Sequence, residues 1–173
     1  MKFKNLVVLA LVGLATVAST NSAQAARLSV LGALSTTQSG WGLESSPMPL
    51  VGGELTFGIG DYFQLGGFFE NNFISFQGGS GLTSSVQFYG AVVRISAITG
   101  LYLDAKAGFD KGEGSDTGVG IGAGLGYRIP LGFFADISPR VGYRYLPYSY
   151  AGVSGNFSRS TLDFGLLLEL KLF

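Results

Sequence analysis

The sequence contains no cysteine and no histidine among its 173 residues. The first absence excludes disulfides, a thiol nucleophile and lipid attachment through cysteine. The second absence removes the commonest general base and the commonest metal ligand. A carboxylate can also act as a base, but the strand carboxylates of this chain are matched by cations, as described below. We therefore expect no enzymatic activity and no cofactor.

Charge is also scarce. Charged residues make up 13% of the chain, compared with about 25% in an average soluble protein, and the formal net charge is zero. No basic block is present, which argues against nucleic-acid binding. Beyond the N-terminus, no segment is apolar enough to form a spanning helix of about 20 residues. A chain with too little charge for a water-soluble surface and no spanning helix is typical of a transmembrane β-barrel.

The first 25 residues have the pattern of an export signal. Lys2 and Lys4 precede an apolar run over residues 6–18, and the small-x-small sequence Ala23-Gln24-Ala25 follows it. We expect residues 1–25 to be cleaved and residues 26–173 to form a single domain. The alternative, an uncleaved anchor helix, is disfavoured because the apolar run is short.

After residue 25, apolar and polar residues alternate with the period of two that indicates β-strands. Tight turns are predicted at Gly60-Asp61, Thr99-Gly100 and Pro130-Leu131, whereas the other connections are longer and rich in Gly, Ser, Asn and Pro. Pro139 cannot donate a hydrogen bond, so we expect a bulge there. The predicted strands cover 27–35, 50–60, 62–71, 84–97, 101–110, 118–129, 132–145 and 159–173. This pattern predicts an all-β, eight-stranded, antiparallel up-and-down transmembrane β-barrel with both termini at the short-turn end.

The stretch GVGIGAGLGYR, residues 118–128, indicates which face of the strands points inward. Glycine occupies every second position from Gly118 to Gly126. In a soluble barrel the intervening apolar residues would form the core, and in a membrane barrel they would face lipid. The narrow interior of an eight-stranded barrel needs small residues beside bulky ones, whereas a water-facing side does not. We therefore place the glycines inside. A phosphate-binding loop would need a following helix and a Lys-Ser/Thr pair, which the sequence lacks.

Most charges of the predicted strands share the glycine face. The signs are balanced, as expected in a confined interior where an unpaired charge is costly. The predicted interior charge network comprises Glu54, Glu70, Arg94, Asp104, Lys106, Arg128, Asp136, Arg140, Arg144, Asp163, Glu169 and Lys171. Counting from the turns predicts three pairs between strands: Arg94 with Asp104, Arg128 with Asp136, and Arg144 or Arg140 with Asp163. Paired side chains would fill so narrow a barrel, which favours a closed interior over an ion path.

Aromatic residues are concentrated near both ends of the predicted strands, as in the belts at the two membrane–water interfaces. One group lies near the short turns: Tyr62, Phe63, Tyr102, Tyr127 and Phe133. A second group lies near the long loops: Phe69, Phe109, Tyr143 and Tyr145. Further aromatic residues are expected on the loops themselves, where they rest on lipid headgroups or contact partners: Trp41, Phe73, Phe76, Tyr148 and Tyr150.

Taken together, these features resemble the small eight-stranded outer-membrane proteins of the OmpA and OmpX type. The resemblance covers the mature chain and rests on the strand alternation, the loop asymmetry and the terminal Phe173. It implies the outer membrane of a Gram-negative bacterium, termini in the periplasm, and delivery by periplasmic chaperones and the outer-membrane assembly machinery. Lys171 and Glu169 occupy the phase of Phe173, where the family's terminal signal has apolar residues. Either a bulge shifts the phase, or Phe173 lies past the strand. The barrel enzymes of this membrane use a histidine, which is absent here.

The predicted role is structural or interactive. We expect a monomer that supports envelope integrity or presents its long loops, with outer-membrane lipid and lipopolysaccharide as partners. The alternative is a porin-like narrow pore or a transporter for small or apolar solutes. Asp110, Glu113 and Asp116 offer oxygen ligands to a hard cation, but their spacing matches no known calcium loop. We expect a solvated acidic loop that meets lipopolysaccharide through bridging ions.

Overall fold

The computed structural model describes residues 26–39, 46–59, 62–75, 83–97, 99–112, 117–148 and 157–172. All regular elements in these ranges are β-strands: β1 (Ala26–Ser39), β2 (Met48–Ile59), β3 (Phe63–Ser75), β4 (Thr83–Ser96), β5 (Leu101–Gly112), β6 (Gly118–Tyr127), β7 (Ile129–Pro130), β8 (Ala135–Tyr148) and β9 (Phe157–Lys171). The described part of the chain contains no helix long and apolar enough to cross a membrane. Several sequence predictions concern residues outside the described ranges: the signal segment 1–25, Trp41, Phe76, Glu113, Asp116, Tyr150 and Phe173.

The strands form one closed antiparallel barrel with eight positions in its wall. Each long strand pairs with the next, β1 pairs with β9, and β6 pairs with β8 to complete the circle. The short β7 continues the wall position of β6, because Gly126 opposite Arg140 and Ile129 opposite Ile137 belong to one unchanged register. The predicted eight-stranded up-and-down architecture is therefore confirmed.

The third tight turn differs from the prediction. Pro130 pairs within β7 opposite Asp136, so the chain reverses over residues 131–134 rather than at Pro130-Leu131. The amide of Leu131 donates to the carbonyl of Ala135 at 2.8 Å. Gly132 has a φ of 91°, in the left-handed region that favours glycine. The glycine rather than the proline therefore marks the reversal.

The bulge predicted at Pro139 is wrong. The register between β8 and β9 runs without a shift from Ala135 opposite Leu170 to Tyr148 opposite Phe157. On the other side of β8, pairing stops at Gly126 and resumes at Ile129 in the same register, so the gap lies opposite Pro139 and Ser138. Pro139 has no amide to donate, so a hydrogen bond is missing from the β-ladder, but β8 contains no extra residue.

Three strands run three or four residues further into the long connections than predicted. β1 reaches Ser39, β3 reaches Ser75 and β8 reaches Tyr148. Phe73 and Tyr148, predicted to lie on loops, therefore belong to strands. The end of β3 reads NNFIS and the end of β1 reads STTQS, so both faces carry polar residues there. The alternation of apolar and polar residues is lost where neither face is apolar, although the backbone pairing continues.

The burial of side chains follows the period of the strands. In β5, exposed and buried residues alternate from Leu101 to Ala107. The exposed positions of the wall carry large apolar residues, among them Val30, Leu103, Ile121 and Phe164. Lys111 is the one charged residue in the described strands that is exposed. The wall is therefore apolar outside and carries its charged side chains inside, the reverse of a water-soluble barrel.

Candidate functional site

The structure places the twelve residues of the predicted network on the inner face of the wall. Ten of them are buried: Glu54, Glu70, Arg94, Asp104, Lys106, Asp136, Arg140, Arg144, Asp163 and Glu169. Arg128 and Lys171 lie at the short-turn end, where 12% and 27% of their side-chain areas are exposed. The alternation of β-strands brings these residues together, because every second residue of all eight long strands points to the same lumen.

Glu54 of β2 is the centre of the network. Its Oε2 lies 2.5 Å from Nη2 of Arg94, and its Oε1 lies 2.6 Å from Nζ of Lys106. Arg140 approaches the same carboxylate at 3.8 Å. One acidic group on β2 thus contacts cations from β4, β5 and β8, so the contacts cross the lumen as well as the wall. Charge-assisted bonds of this kind are shorter and stronger than neutral ones.

Towards the long loops, Glu70 and Asp163 share Arg144. Nη1 of Arg144 lies 3.2 Å from Glu70, and its Nε lies 3.2 Å from Asp163. The third nitrogen, Nη2, donates to the hydroxyl of Ser35 at 3.2 Å. Glu70 also accepts a bond from Lys106, which links this group to Glu54. All three guanidinium nitrogens of Arg144 therefore have partners in the interior.

Towards the short turns, Glu169 and Asp136 collect the remaining cations. Glu169 accepts bonds from Arg94 at 3.2 Å and from Arg128 at 3.1 Å. Asp136 lies 2.6 Å from Arg27 and 2.8 Å from Lys171. Each strand carboxylate of the predicted network has a cation within 4 Å. Every carboxylate of this set is therefore ion-paired in the interior.

The pairs predicted from strand counting are present but are not all the shortest contacts. Arg144 and Asp163 lie 3.2 Å apart, as noted above. Arg94 and Asp104 are 3.9 Å apart, and Arg128 and Asp136 are 3.7 Å apart. Both arginines lie closer to Glu169, which is across the lumen from Arg94 and two strands along the wall from Arg128. Counting along a hairpin finds only neighbours in the wall, whereas a long side chain in a narrow barrel can reach the opposite wall.

Four interior residues were missed by the sequence prediction. Arg27 contacts Asp136 from the start of β1. Asp110, predicted to lie in a solvated acidic loop, is 1% exposed within β5, and Arg159 of β9 is 3% exposed. The continuing alternation of β5 and β9 was the available signal, since Asp110 keeps the phase of Asp104 and Arg159 keeps that of Asp163. The fourth residue, Tyr102, was placed in an aromatic belt.

Tyr102 belongs to the network rather than to the membrane interface. It is 1% exposed. Its ring centroid lies 4.6 Å from Cζ of Arg94 and 5.7 Å from Cζ of Arg128. A guanidinium placed over an aromatic face is attracted by the ring quadrupole, and more strongly when both groups are desolvated. The other short-turn aromatics, such as Tyr62 and Tyr127, are exposed as predicted.

The glycines of β6 leave room for these side chains. A Cβ built on Gly126 would overlap the ring of Tyr102. A Cβ on Gly124 would lie 2.5 Å from Nη2 of Arg140 and 2.7 Å from Oδ1 of Asp104, which are themselves bonded at 3.1 Å. The glycine face of β6 is therefore a flat wall against which the network packs.

Two groups of apolar side chains fill further parts of the interior. One consists of Phe68, Phe88, Val92 and Leu146. The other consists of Leu31, Leu50 and Leu167. Phe68 and Phe88 meet edge to face with centroids 4.7 Å apart, and Nζ of Lys106 lies 4.9 Å from the Phe68 centroid. The apolar side chains and the charged ones thus pack as one interior.

The interior offers no site for metal chemistry within the described ranges. These residues contain no group of three or more acidic side chains that could hold a metal ion. The arrangement can neutralise charge, cross-link strands and exclude water. These are the properties of a packed structural core.

Comparisons with known proteins agree with the architecture. No protein-family model matches the sequence, and no curated protein matches it. Among solved structures, the chain is similar to Neisserial surface protein A, with a TM-score of 0.60, 13% identity, and coverage of 87% of this chain and 98% of that one. It is also similar to the outer membrane protein AlkL in lipid bilayers, with a TM-score of 0.54, 11% identity, and coverage of 89% and 94%.

The fold and the distribution of polarity define the class of protein. The chain is a small transmembrane β-barrel with the architecture of the eight-stranded outer-membrane proteins. The predicted resemblance to the OmpA and OmpX type holds at this level, and the similarities identify no subfamily. At such low sequence identities, the shared feature is the fold.

Proposed function

We propose that the protein resides in a bacterial outer membrane as a monomeric, closed barrel that serves envelope structure or surface interaction. Residues 1–25 would be removed on export, and both ends of the barrel chain would face the periplasm. The apolar outer wall supports membrane insertion, because lipid-facing strands need apolar side chains at every second position. The long connections at one end of the barrel provide the surface available to partners outside the cell.

The observation that carries the closed state is the burial of large inner side chains. Arg94, Tyr102, Phe88, Leu50, Leu146, Leu167 and Glu169 are each less than 2% exposed. They come from β2, β4, β5, β8 and β9, so the packing reaches across the lumen. A continuous aqueous path would leave such side chains accessible to water. An eight-stranded barrel is about wide enough for side chains to fill, which agrees with this packing.

We expect the purified protein to give no stable conductance steps in a planar lipid bilayer. The measurement should use protein whose folding is verified by a gel shift before and after boiling, since a folded barrel and its unfolded chain migrate differently. The variant Tyr89→Ala, which changes an exposed residue of the outer wall, is a matched control for Phe88→Ala on the inner face. Neither variant should conduct, because the ion-paired layer remains in both.

Reproducible steps from the unmodified protein would overturn the closed barrel and favour the pore for small solutes. Recovery of the mature protein from the periplasm without detergent would overturn the proposed location and favour a soluble secreted barrel.

A further inference from the structure

Three aromatic side chains form a row on the outer wall of β3, β4 and β5. Phe69 lies opposite Tyr89, and Tyr89 lies opposite Phe109. Phe69 is 48% exposed and Tyr89 is 38% exposed. The rings of Tyr89 and Phe109 have centroids 6.2 Å apart. Aromatic rings at this position suit the boundary between acyl chains and headgroups.

A polar row lies directly beyond it, towards the long loops. Asn71, Gln87 and Lys111 each lie two positions from one of the three aromatic residues, on the long-loop side, and they are opposite one another in the strand register. Gln87 and Lys111 are exposed, and Asn71 is half-buried. With neighbouring strands about 4.8 Å apart, the row spans about 10 Å. Two amide donors and an ammonium group therefore line a surface as wide as a sugar-sized headgroup.

Lys111 is distinctive among the cations of the described strands. Every other one lies on the inner face, and those of the predicted network are ion-paired there. No acidic residue of the described strands is exposed on the outer wall. Lys111 offers an exposed ammonium group beside two amides and next to an apolar surface. Such a surface attracts an anionic group that is attached to an apolar chain. The charge on the wall thus selects for a negative headgroup attached to acyl chains.

We propose that this surface, formed by the aromatic row and the polar row, binds a phosphorylated glycolipid of the outer leaflet. The phosphate pairs with Lys111, Gln87 and Asn71 donate from their amides to phosphate or sugar oxygens, and an acyl chain packs on Phe69 and Tyr89. The inference rests on the proposed function, because it needs the long-loop end to face the outer leaflet. A free phosphate ion would meet one cation and gain nothing from the aromatic row.

The test compares lipid retention by the unmodified protein and by three variants. Folded protein is extracted from vesicles containing equal amounts of a phosphorylated glycolipid and its dephosphorylated form, and native mass spectrometry counts the lipids that remain bound. We expect a preference for the phosphorylated form that falls up to about fivefold in Lys111→Ala, as for loss of an exposed ion pair. Lys111→Arg should keep the preference because it keeps the charge. Tyr89→Ala should reduce retention of both lipids equally.

Equal retention of the two lipids by the unmodified protein would overturn the inference, as would an unchanged preference in Lys111→Ala. Inorganic phosphate that displaces the glycolipid as readily as a soluble glycolipid phosphate would show an anion site without lipid recognition, and would also overturn it. The gel shift on boiling separates these results from failure of the proposed function. A protein that inserts and shifts but shows no preference contradicts only the lipid site, whereas one that does not insert contradicts the membrane barrel.

Discussion

Replacing Glu54 with alanine is expected to lower the free energy of unfolding by about 3–5 kcal/mol, as for the removal of one partner from a buried ion pair. The reason is the number of cations that depend on this carboxylate. Arg94 lies 2.5 Å from it, Lys106 lies 2.6 Å from it, and Arg140 lies 3.8 Å from it. Without Glu54 each cation would keep one other carboxylate, but the group of buried cations would lose one of its compensating negative charges. Glu54→Gln should lose most of the same stability, because it keeps the shape but not the charge.

The measurement is denaturant unfolding in lipid vesicles, followed by tryptophan fluorescence or by the gel shift. Thr56→Val is the matched control. Thr56 lies two positions along β2 on the same face, is 0% exposed, and has a hydroxyl with no hydrogen-bond partner among the described residues. Replacing this buried, unpaired hydroxyl by a methyl group should leave the stability unchanged or raise it by up to about 1–3 kcal/mol, opposite in direction to the effect at Glu54. Equal stabilities of Glu54→Ala and the unmodified protein would show that the network does not hold the strands together.

A double-mutant cycle can separate the pair from its surroundings. Glu54→Gln and Lys106→Met should together cost less than the sum of the two single changes, because the second change removes a charge that the first left unpaired. Strict additivity would mean that the contact between Glu54 and Lys106 contributes no coupling.

Replacing Gly126 with valine is expected to prevent folding or to destabilise the barrel by at least about 1–3 kcal/mol, the usual cost of overpacking. The first added carbon would overlap the ring of Tyr102. That ring cannot yield easily, because Arg94 lies against it at 4.6 Å and both groups are buried. Pairing Gly126→Val with Tyr102→Ala should recover part of the loss by removing the obstructing ring.

Leu125→Val is the matched control for Gly126→Val. Leu125 is the preceding residue of β6, points to the outer wall and is 41% exposed. Its replacement by another apolar residue should leave the yield of heat-shifted protein unchanged. The comparison therefore asks which face of β6 is crowded. A folded Gly126→Val of normal stability would show that the glycine face does not pack against the interior.

The inward and outward faces of the strands could be predicted because two residue patterns agree along the chain. Charges and glycines recur at every second residue, and the intervening positions are apolar, so the inside and outside of β5 and β6 follow from the sequence alone. The structure keeps these phases from Leu101 to Ala107 and through the glycine run. In β4, Phe88 shares the buried face with Arg94, and Gln87 is exposed.

Contacts across the lumen could not be predicted in the same way. The distance between Arg94 and Glu169 depends on the shear of the closed barrel and on the reach of an arginine, neither of which appears in a local pattern. Tyr102 was misplaced for a related reason. A tyrosine near a turn suits a membrane interface, and only the closed barrel shows two guanidinium groups beside it.

The prediction of strand ends and irregularities was limited because the local sequence pattern does not determine them. Proline predicts a lost hydrogen bond at position 139, but not whether the chain responds with a bulge or with an interrupted ladder. The phase of the C-terminal residues is a similar case, because the sequence left open whether a bulge precedes Phe173 or the strand ends before it. The β1–β9 register shifts between Thr37 and Ser39, but from Thr161 opposite Thr37 to Lys171 opposite Arg27 it does not, so no bulge in that part restores the phase of the family's terminal signal.

The central claim is that the barrel is apolar outside and packed inside, and single cysteines along β1 test it most directly. The chain has no cysteine of its own. Ser29 and Ser35 are 0% and 3% exposed on the inner face, whereas Val30 and Leu34 are 59% and 56% exposed on the outer face. Cysteines at the inner positions should resist a small water-soluble thiol reagent until the protein is unfolded. A fluorophore on cysteines at the outer positions should be quenched by lipids with brominated acyl chains. Rapid reaction at the inner positions, or no quenching at the outer ones, would contradict the account.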